Sequence, residues 1–459
     1  MEGIIHRFKK TIMKGHKKAI ILVIFLSTLQ GFSQEVLTKK EALKITLENN
    51  FGIKIANNNV EVAENNSSIF NSGYLPTATL NSGADYRRNN QKIIFSDPST
   101  GDDTERVGNG VVTKTYTTSL ALNYTIFDGL GRKYNYQQLK ETYNLTELQA
   151  KETIENIYLQ LFTVYFQIAR LSENRANLEE ALQISKGRLA LAKYQYKYGQ
   201  STRLEVLNAS VDINNDSILV INANQQLNNA KRGLNVILGI EKDLNYQVET
   251  VVSFNKLINF EMLQEKTSAN NSVLKQNEKN VAISAFNIKI NKANYLPSLN
   301  FSTSYGYNRT ENENLVNPFG ARSIISDGLN AGLNLSWNIF DGGITKTRIA
   351  NAKIALENQQ ILLAQQKVTI NNNLRNTWEN YKNQLFILKA QQKNIQTTQN
   401  NFDRTQERYN LGQVTSIEFR QAQINLVNSK TAANNAKFDA KLIELQLLQL
   451  SGDILNVAF

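Results

Sequence analysis

The chain carries few of the residues that do covalent or metal chemistry. Its only two histidines, His6 and His16, lie within the first 33 residues, and it has no cysteine. Beyond that segment there is no imidazole or thiol, so zinc sites of the usual kind, Ser-His-Asp triads and cysteine nucleophiles are excluded by inventory. Carboxylate-pair catalysis is formally open, but the 40 Asp and Glu form no compact acidic motif. The sequence thus assigns no catalytic residue, metal ligand or cofactor, and it offers no cysteine for a disulfide or an N-terminal lipid anchor. What recurs instead is a junction: Ile126-Phe127-Asp128-Gly129 returns letter for letter as Ile339-Phe340-Asp341-Gly342. Asp accepts hydrogen bonds from the orphan N–H groups of a helix's first turn, and a following Gly lets the backbone bend. Each copy reads as the place where a strand hands over to a helix.

The flanks of this junction show a duplicated chain. Tyr74-Leu75-Pro76 recurs 221 residues on as Tyr295-Leu296-Pro297, and Asn49-Asn50 recurs at the same distance as Asn270-Asn271. From the Asp-Gly pair onward the distance is 213: Gly199-Gln200 matches Gly412-Gln413, and Gly239 matches Gly452. Length variation collects in loops, so the eight-residue difference is expected in surface loops between each proline and its junction.

Met1 to Ser33 reads as a secretory signal. Six Lys and Arg precede an apolar run from Ala19 to Leu29, and Gly31 and Ser33 suit a cut before Gln34. Eleven apolar residues are too few to span a bilayer, which needs about 20. The segment carries +5 of the formal net charge of +11. The remaining +6 shows no basic cluster interleaved with aromatics, so nucleic acid is not expected as a partner.

Two segments alternate with period two. Leu120, Leu122, Tyr124 and Ile126 face away from Ser119, Ala121, Asn123 and Thr125; Ala331, Leu333, Leu335, Trp337 and Ile339 face away from Gly332, Asn334, Ser336 and Asn338. Alternation alone also fits a soluble sheet with one solvated face. Strand length, aromatics near the strand ends and the signal favour a barrel in lipid, and four strands can close one only if several chains share it. The Gly-, Asp- and Asn-rich stretches Asn89 to Val112 and Arg309 to Asp327 read as exposed connections. After each junction come 67 proline-free residues, Gly131 to Lys197 and Ile344 to Asn410, or about 100 Å of helix at 1.5 Å per residue. Ile154, Ile157, Leu161, Val164, Ile168 and Leu171 mark a coiled-coil seam on the first, and Ile370, Leu374, Trp378, Tyr381, Leu385 and Leu388 mark one on the second. Each long helix stops at a Tyr-x-x-Gly turn, and a second helix returns.

The expected domains are a signal peptide (1–33), a first repeat (35–240), a linker or equatorial region (241–269), a second repeat (270–452) and a tail (453–459). Within the repeats, helices begin each half, strand pairs cover 74–128 and 295–341, long helices 131–197 and 344–410, and return helices 202–238 and 415–450.

This order, from Glu35 to Gly452, resembles the TolC family of outer-membrane efflux proteins. The resemblance implies an α+β membrane protein in which each of three identical chains gives four amphipathic strands to one outer-membrane β-barrel. Antiparallel α-helical coiled coils continue that barrel as a tunnel across the periplasm of a Gram-negative cell. Implied partners are a homotrimer, outer-membrane lipid, a periplasmic adaptor protein and an inner-membrane pump; the implied role is a passive conduit, not an enzyme. In the family the closed entrance lies at the Tyr-x-x-Gly turns, so Gly199, Gln200, Gly412 and Gln413 become tip turns in contact with the adaptor. Glu205 and Glu418 match acidic entrance positions, where three copies of each form rings that favour cations. Tyr409 matches the gate tyrosine. Val414 stands where some members have a basic gate residue and Gln421 where they repeat an acid, so closure here is expected from helix packing and hydrogen bonds. Phe127, Asp128, Gly129, Phe340, Asp341 and Gly342 form the barrel-to-helix junctions. The rival reading is a secreted coiled-coil scaffold with a small soluble sheet and no channel.

Overall fold

The structure, a computed structural model, describes residues 36–457 except 97, 244, 256–257 and 318. The expected signal peptide and Pro318 lie outside the described residues. In chain order the elements are β1 (Val36–Leu37), α1 (Lys39–Asn49), α2 (Phe51–Asn66), β2 (Thr77–Ser96), β3 (Asp103–Asp128), α3 (Gly131–Lys197) and α4 (Arg203–Leu238). There follow β4 (Gln247–Val248), α5 (Phe260–Asn270), α6 (Ser272–Ala293), β5 (Ser298–Glu313), β6 (Ser323–Ser336), α7 (Ile344–Asn410) and α8 (Ser416–Leu450). Two compact units cut across the sequence repeats: one comprises residues 36–54, 153–271 and 371–457, the other 55–152 and 272–370.

The second unit holds one antiparallel sheet in the order β2-β3-β5-β6, so that its middle ladder joins the two repeats. Opposite residues share a face. One face carries the row Leu80–Leu120–Tyr305–Leu329 and the row Phe301–Leu333, and the other carries Asn81–Ser119–Gly306. The stretches read as loops are largely strand. β2 runs on to Ser96 and β5 to Glu313, because a paired neighbour satisfies the backbone whatever the intrinsic preference of Gly, Asp and Asn. A bulge between Asn89 and Gln91 absorbs the change, with Gly110 at φ +67° and its N–H donating 2.8 Å to Asn90 Oδ1. The extra length of the first repeat therefore resides in longer strands, not in a longer turn. The last strand stops at Ser336, short of Ile339, to which the alternation runs. β6 lies on the sheet edge, and just beyond its end the exposed Trp337 donates its indole N–H 3.1 Å to the Tyr295 carbonyl.

The first unit is a helical core. The coiled-coil seam found in the sequence supplies Leu161 and Ile168, but the buried face of α3 is mostly aromatic: Tyr158, Phe162, Tyr165 and Phe166. These pack with Leu234 and Leu238 of α4, Phe438 and Leu445 of α8, Leu37 and Val248 of the β1–β4 pair, and Tyr246 just before β4. Tyr165 fixes that pair, donating 2.7 Å to Leu37 O and accepting from Glu249 N at 3.0 Å.

The helix that opens the first repeat breaks at Asn50. Its side-chain oxygen accepts from Gly52 N (2.8 Å) and Ile53 N (3.2 Å), starting α2, while its amide donates 2.7 Å to Ile237 O at the end of α4. The second repeat does the same with Asn271, which donates 2.9 Å to Leu450 O, and its opening helix α5 lies in the stretch expected to be linker. Each return helix ends on a glycine, Gly239 at φ +68° and Gly452 at φ +71°. A Cβ there would stand 2.4 Å from Asn49 O or 2.5 Å from Asn270 O. The duplicated Asn-Asn and Gly signals are thus two halves of one contact, made twice.

Candidate functional site: junctions and helix tips

At the first junction, Asp128 Oδ2 accepts from Arg132 N at 2.8 Å, meeting an orphan donor of α3, and its carboxylate also pairs with Arg132 Nε at 3.2 Å. Arg132 in turn donates 2.9 Å to Gly73 O and lies 5.3 Å over the Tyr74 ring, which ties the Tyr-Leu-Pro motif to the helix start. Gly129, at φ +69°, lets the chain pass 2.4 Å from Ala293 O and 2.9 Å from Leu296 Cβ, measured from where its own Cβ would be. At the second junction Asp341 accepts from Thr345 N (2.8 Å) and Gly343 N (3.0 Å). The Thr345 hydrogen bonds lower its carboxyl pKa below the ordinary aspartate range. Gly342 (φ +68°) has nothing within 4 Å of a Cβ, and Phe340 is 86% exposed against 36% for Phe127.

The two tips end in the same turn. Gly199 (φ +71°) donates 3.1 Å to Tyr196 O while Gln200 N donates 2.8 Å to Gln195 O; Gly412 (φ +74°) donates 3.0 Å to Tyr409 O while Gln413 N donates 2.8 Å to Arg408 O. This is the paired 5→2 and 6→1 bonding of a Schellman end. All four residues are exposed. The returning helices start on Thr202 and Thr415, whose hydroxyls accept from Glu205 N and Glu418 N. Glu418 closes a capping box, its Oε2 accepting from Thr415 N at 2.7 Å and from the Thr415 hydroxyl at 2.9 Å; these bonds lower its pKa. The Thr-x-x-Glu spacing at both positions is a cap signal in the sequence that the entrance reading passed over.

Tyr409 stacks on Phe419, with centroids 4.8 Å apart and planes at 8°. Burial raises its hydroxyl pKa, opposed by a Ser416 hydrogen bond and the nearby Arg188 charge, while the charge of Glu205 adds to the rise. Gln421 faces solvent and donates to Asn425 of its own helix at 2.9 Å.

One arrangement escaped the sequence reading. Arg420 of α8 grips Asp216 of α4 with two hydrogen bonds, 2.9 and 2.7 Å. Ser185 of α3 donates to the same carboxylate at 2.6 Å. Arg188 of α3 pairs with Asp212, which also lies 3.6 Å from Arg420 Nε. Gln423 donates 2.7 Å to Ala181 O. Arg188 and Asp216 side chains are 1% and 5% exposed. Two guanidinium groups and two carboxylates thus balance in a buried clamp across three helices. Asp212 and Asp216 share a helix face at i, i+4, the one trace of it visible in sequence.

Among the described residues no helix is long and apolar enough to cross a membrane, and no group of three or more His, Cys, Asp or Glu is placed to hold a metal ion. The chain is 23% identical to the outer membrane protein TolC of Vibrio cholerae over 311 residues, 67% of this chain and 70% of that protein. It is 21% identical to the proteases secretion protein PrtF of Dickeya chrysanthemi over 374 residues, 80% of this chain and 76% of that one. In fold it is similar to the CmeC outer membrane channel of Campylobacter jejuni, with a TM-score of 0.71 at 18% identity, covering 90% of this chain and 85% of that one. Residues 42–240 and 263–453 match the family described as Outer membrane efflux protein, and the chain belongs to that family.

Proposed function

We propose that the protein is the passive outer-membrane duct of a tripartite export system, a homotrimer opened at its periplasmic tips and driven by an inner-membrane pump through an adaptor. The observation that carries this reading is the sheet: four strands, an apolar face and two open edges, β2 and β6. Open edges are not tolerated in lipid, so copies of the chain must join edge to edge until the sheet closes.

The duplication sets the register of that joint. Within the chain, β3 of the first repeat pairs with β5 of the second, Leu120 opposite Tyr305 and Leu122 opposite Thr303. Carrying each residue to its counterpart in the other repeat places Leu333 of one chain opposite Ala84 of the next, and Leu335 opposite Ser82. The same transfer brings Ser72 and Leu75 of the next chain onto the open Gly342. The chain has no native cysteine to interfere. Cysteines at Leu333 and Ala84 should therefore oxidise to covalent trimers in the outer membrane, whereas Leu333 with Tyr86 should not. No crosslink in either register would overturn the closed ring, and a Leu333–Tyr86 crosslink would overturn the register.

Glu205 and Glu418 remain the proposed entrance acids. The adaptor is sought by crosslinking from cysteines at the exposed Gln200 and Gln413 in cells.

A further inference from the structure

The helix turns that adjoin the sheet carry a charge pattern of which the duct makes no use. Residues 129–140, 279–297 and 342–356 hold nine Lys and Arg and no Asp or Glu. Arg132 pairs with Asp128 and Lys279 with Glu141. The other seven are exposed and have no ion pair among the described residues. Seven exceeds the net +6 of the chain beyond the signal, so the excess charge of the protein is gathered here. Four of the seven repeat. Lys133 and Lys140 stand two turns apart on one face of α3, and the 213-residue step carries them to Lys346 and Lys353 at the same places on α7. A missing neighbour does not account for their exposure on α3. Gln138 there donates 3.3 Å to Ile283 O of α6, and Tyr136 meets the Tyr74 ring edge-on with centroids 6.1 Å apart.

Helix stability does not account for these positions either. Lys133 and Lys346 sit in first turns, where cations oppose the helix dipole, and neither helix has an acid in its first turn. Side chains tilt toward a helix's N-terminus, which for α3 and α7 is the end at the sheet. Lys140 and Lys353, about 14 Å from that end, therefore lean back toward it on long apolar stems. Between the cations and the apolar rows of the sheet stand the exposed Tyr295, Trp337 and Phe340, just beyond the strand ends Ser298 and Ser336. Apolar band, aromatics and cations follow the order of acyl chains, interface and headgroup phosphates. We propose that this collar binds the headgroups of anionic phospholipids in the leaflet on the helix side of the sheet. The assignment rests on the duct reading, which sets the sheet in the outer membrane.

The test titrates the full-length mature protein, in a zwitterionic detergent at constant ionic strength, with phosphatidylglycerol; phosphatidylcholine is the reference. A saturable rise in melting temperature is expected with phosphatidylglycerol and little change with phosphatidylcholine. Lys133→Gln, Lys140→Gln, Lys346→Gln and Lys353→Gln together should shift the midpoint at least about tenfold, from loss of four cations at the headgroups. All four side chains are exposed and unpaired, so the variant folds. Lys186→Gln, Lys193→Gln, Lys389→Gln and Lys393→Gln remove the same charge from exposed positions at least 36 residues further along the same two helices, and should leave the midpoint unchanged. An equal response to phosphatidylcholine, no response to phosphatidylglycerol, or an equal shift in the remote variant overturns the collar. So does an unchanged midpoint in the collar variant, the result expected of lysines that line the bore. The Leu333–Ala84 crosslink tests the duct separately: crosslinked trimers without a lipid response overturn the collar alone.

Discussion

Gly239 and Gly452 sit in the left-handed region with a backbone carbonyl already within 2.5 Å of any added Cβ. Gly239→Ala and Gly452→Ala should each lower stability by about 1–3 kcal/mol, read by denaturant unfolding, since both strain and clash oppose a side chain. Gly199 and Gly412 share the left-handed φ but have open space around them, so Ala there meets the strain alone. Glu418 belongs to the same scale. Its folded pKa is depressed, so its capping contribution is present above the ordinary carboxylate pKa and is lost as pH falls through the folded value. Hydrogen exchange at the start of α8 should accelerate in that acid window, and Glu418→Gln should remove most of this pH dependence. In reconstituted channels Glu205→Ala with Glu418→Ala should alter cation selectivity; unchanged selectivity would remove the entrance-ring role.

The clamp ties α8 to α3 and α4. Removing one partner of a buried charge pair strands the other, so Asp216→Leu should cost about 3–5 kcal/mol and loosen α8 from α3 and α4. Hydrogen exchange along Ser416–Leu450 reads that loosening, and the exchanged pair Asp216→Arg with Arg420→Asp should recover part of it. The strands make a second element-scale prediction. Leu120 lies on the apolar face and Ser304 on the small polar one. Arg at a lipid-facing midplane position costs about 2–4 kcal/mol, so Leu120→Arg should impair barrel assembly while Ser304→Arg is tolerated, as judged by heat-modifiable migration on gels.

For the whole molecule, the two junctions differ in a way that one chain does not explain by itself. Gly129 is crowded by Ala293 and Leu296, whereas its counterpart Gly342 is open. If the next chain supplies Ser72 and Leu75 there, Gly342→Val should block trimer formation about as severely as Gly129→Val disrupts the chain's own packing. Normal trimers of Gly342→Val, measured by crosslinking, would contradict the proposed joint.

Much of this was legible in order along the chain. Proline-free runs, period-two alternation, the Asp-Gly junctions and the repeated Tyr-Leu-Pro and Tyr-x-x-Gly motifs are local signals, because backbone preference and hydrophobic period act over a few residues. The strand bounds were less legible: β3, paired on both sides, runs to Asp128, whereas edge strand β6 stops at Ser336, and edge position is set by the sheet. The clamp was hidden for a related reason. Arg420 and Asp216 are 204 residues apart. No local preference couples such positions, and only the packing of α8 against α3 and α4 makes a partner of one for the other. The sequence by itself determined a duplicated chain of strand pairs and very long helices. Tertiary structure alone decided which charges are buried together, which glycines are crowded and which strand edges are left open.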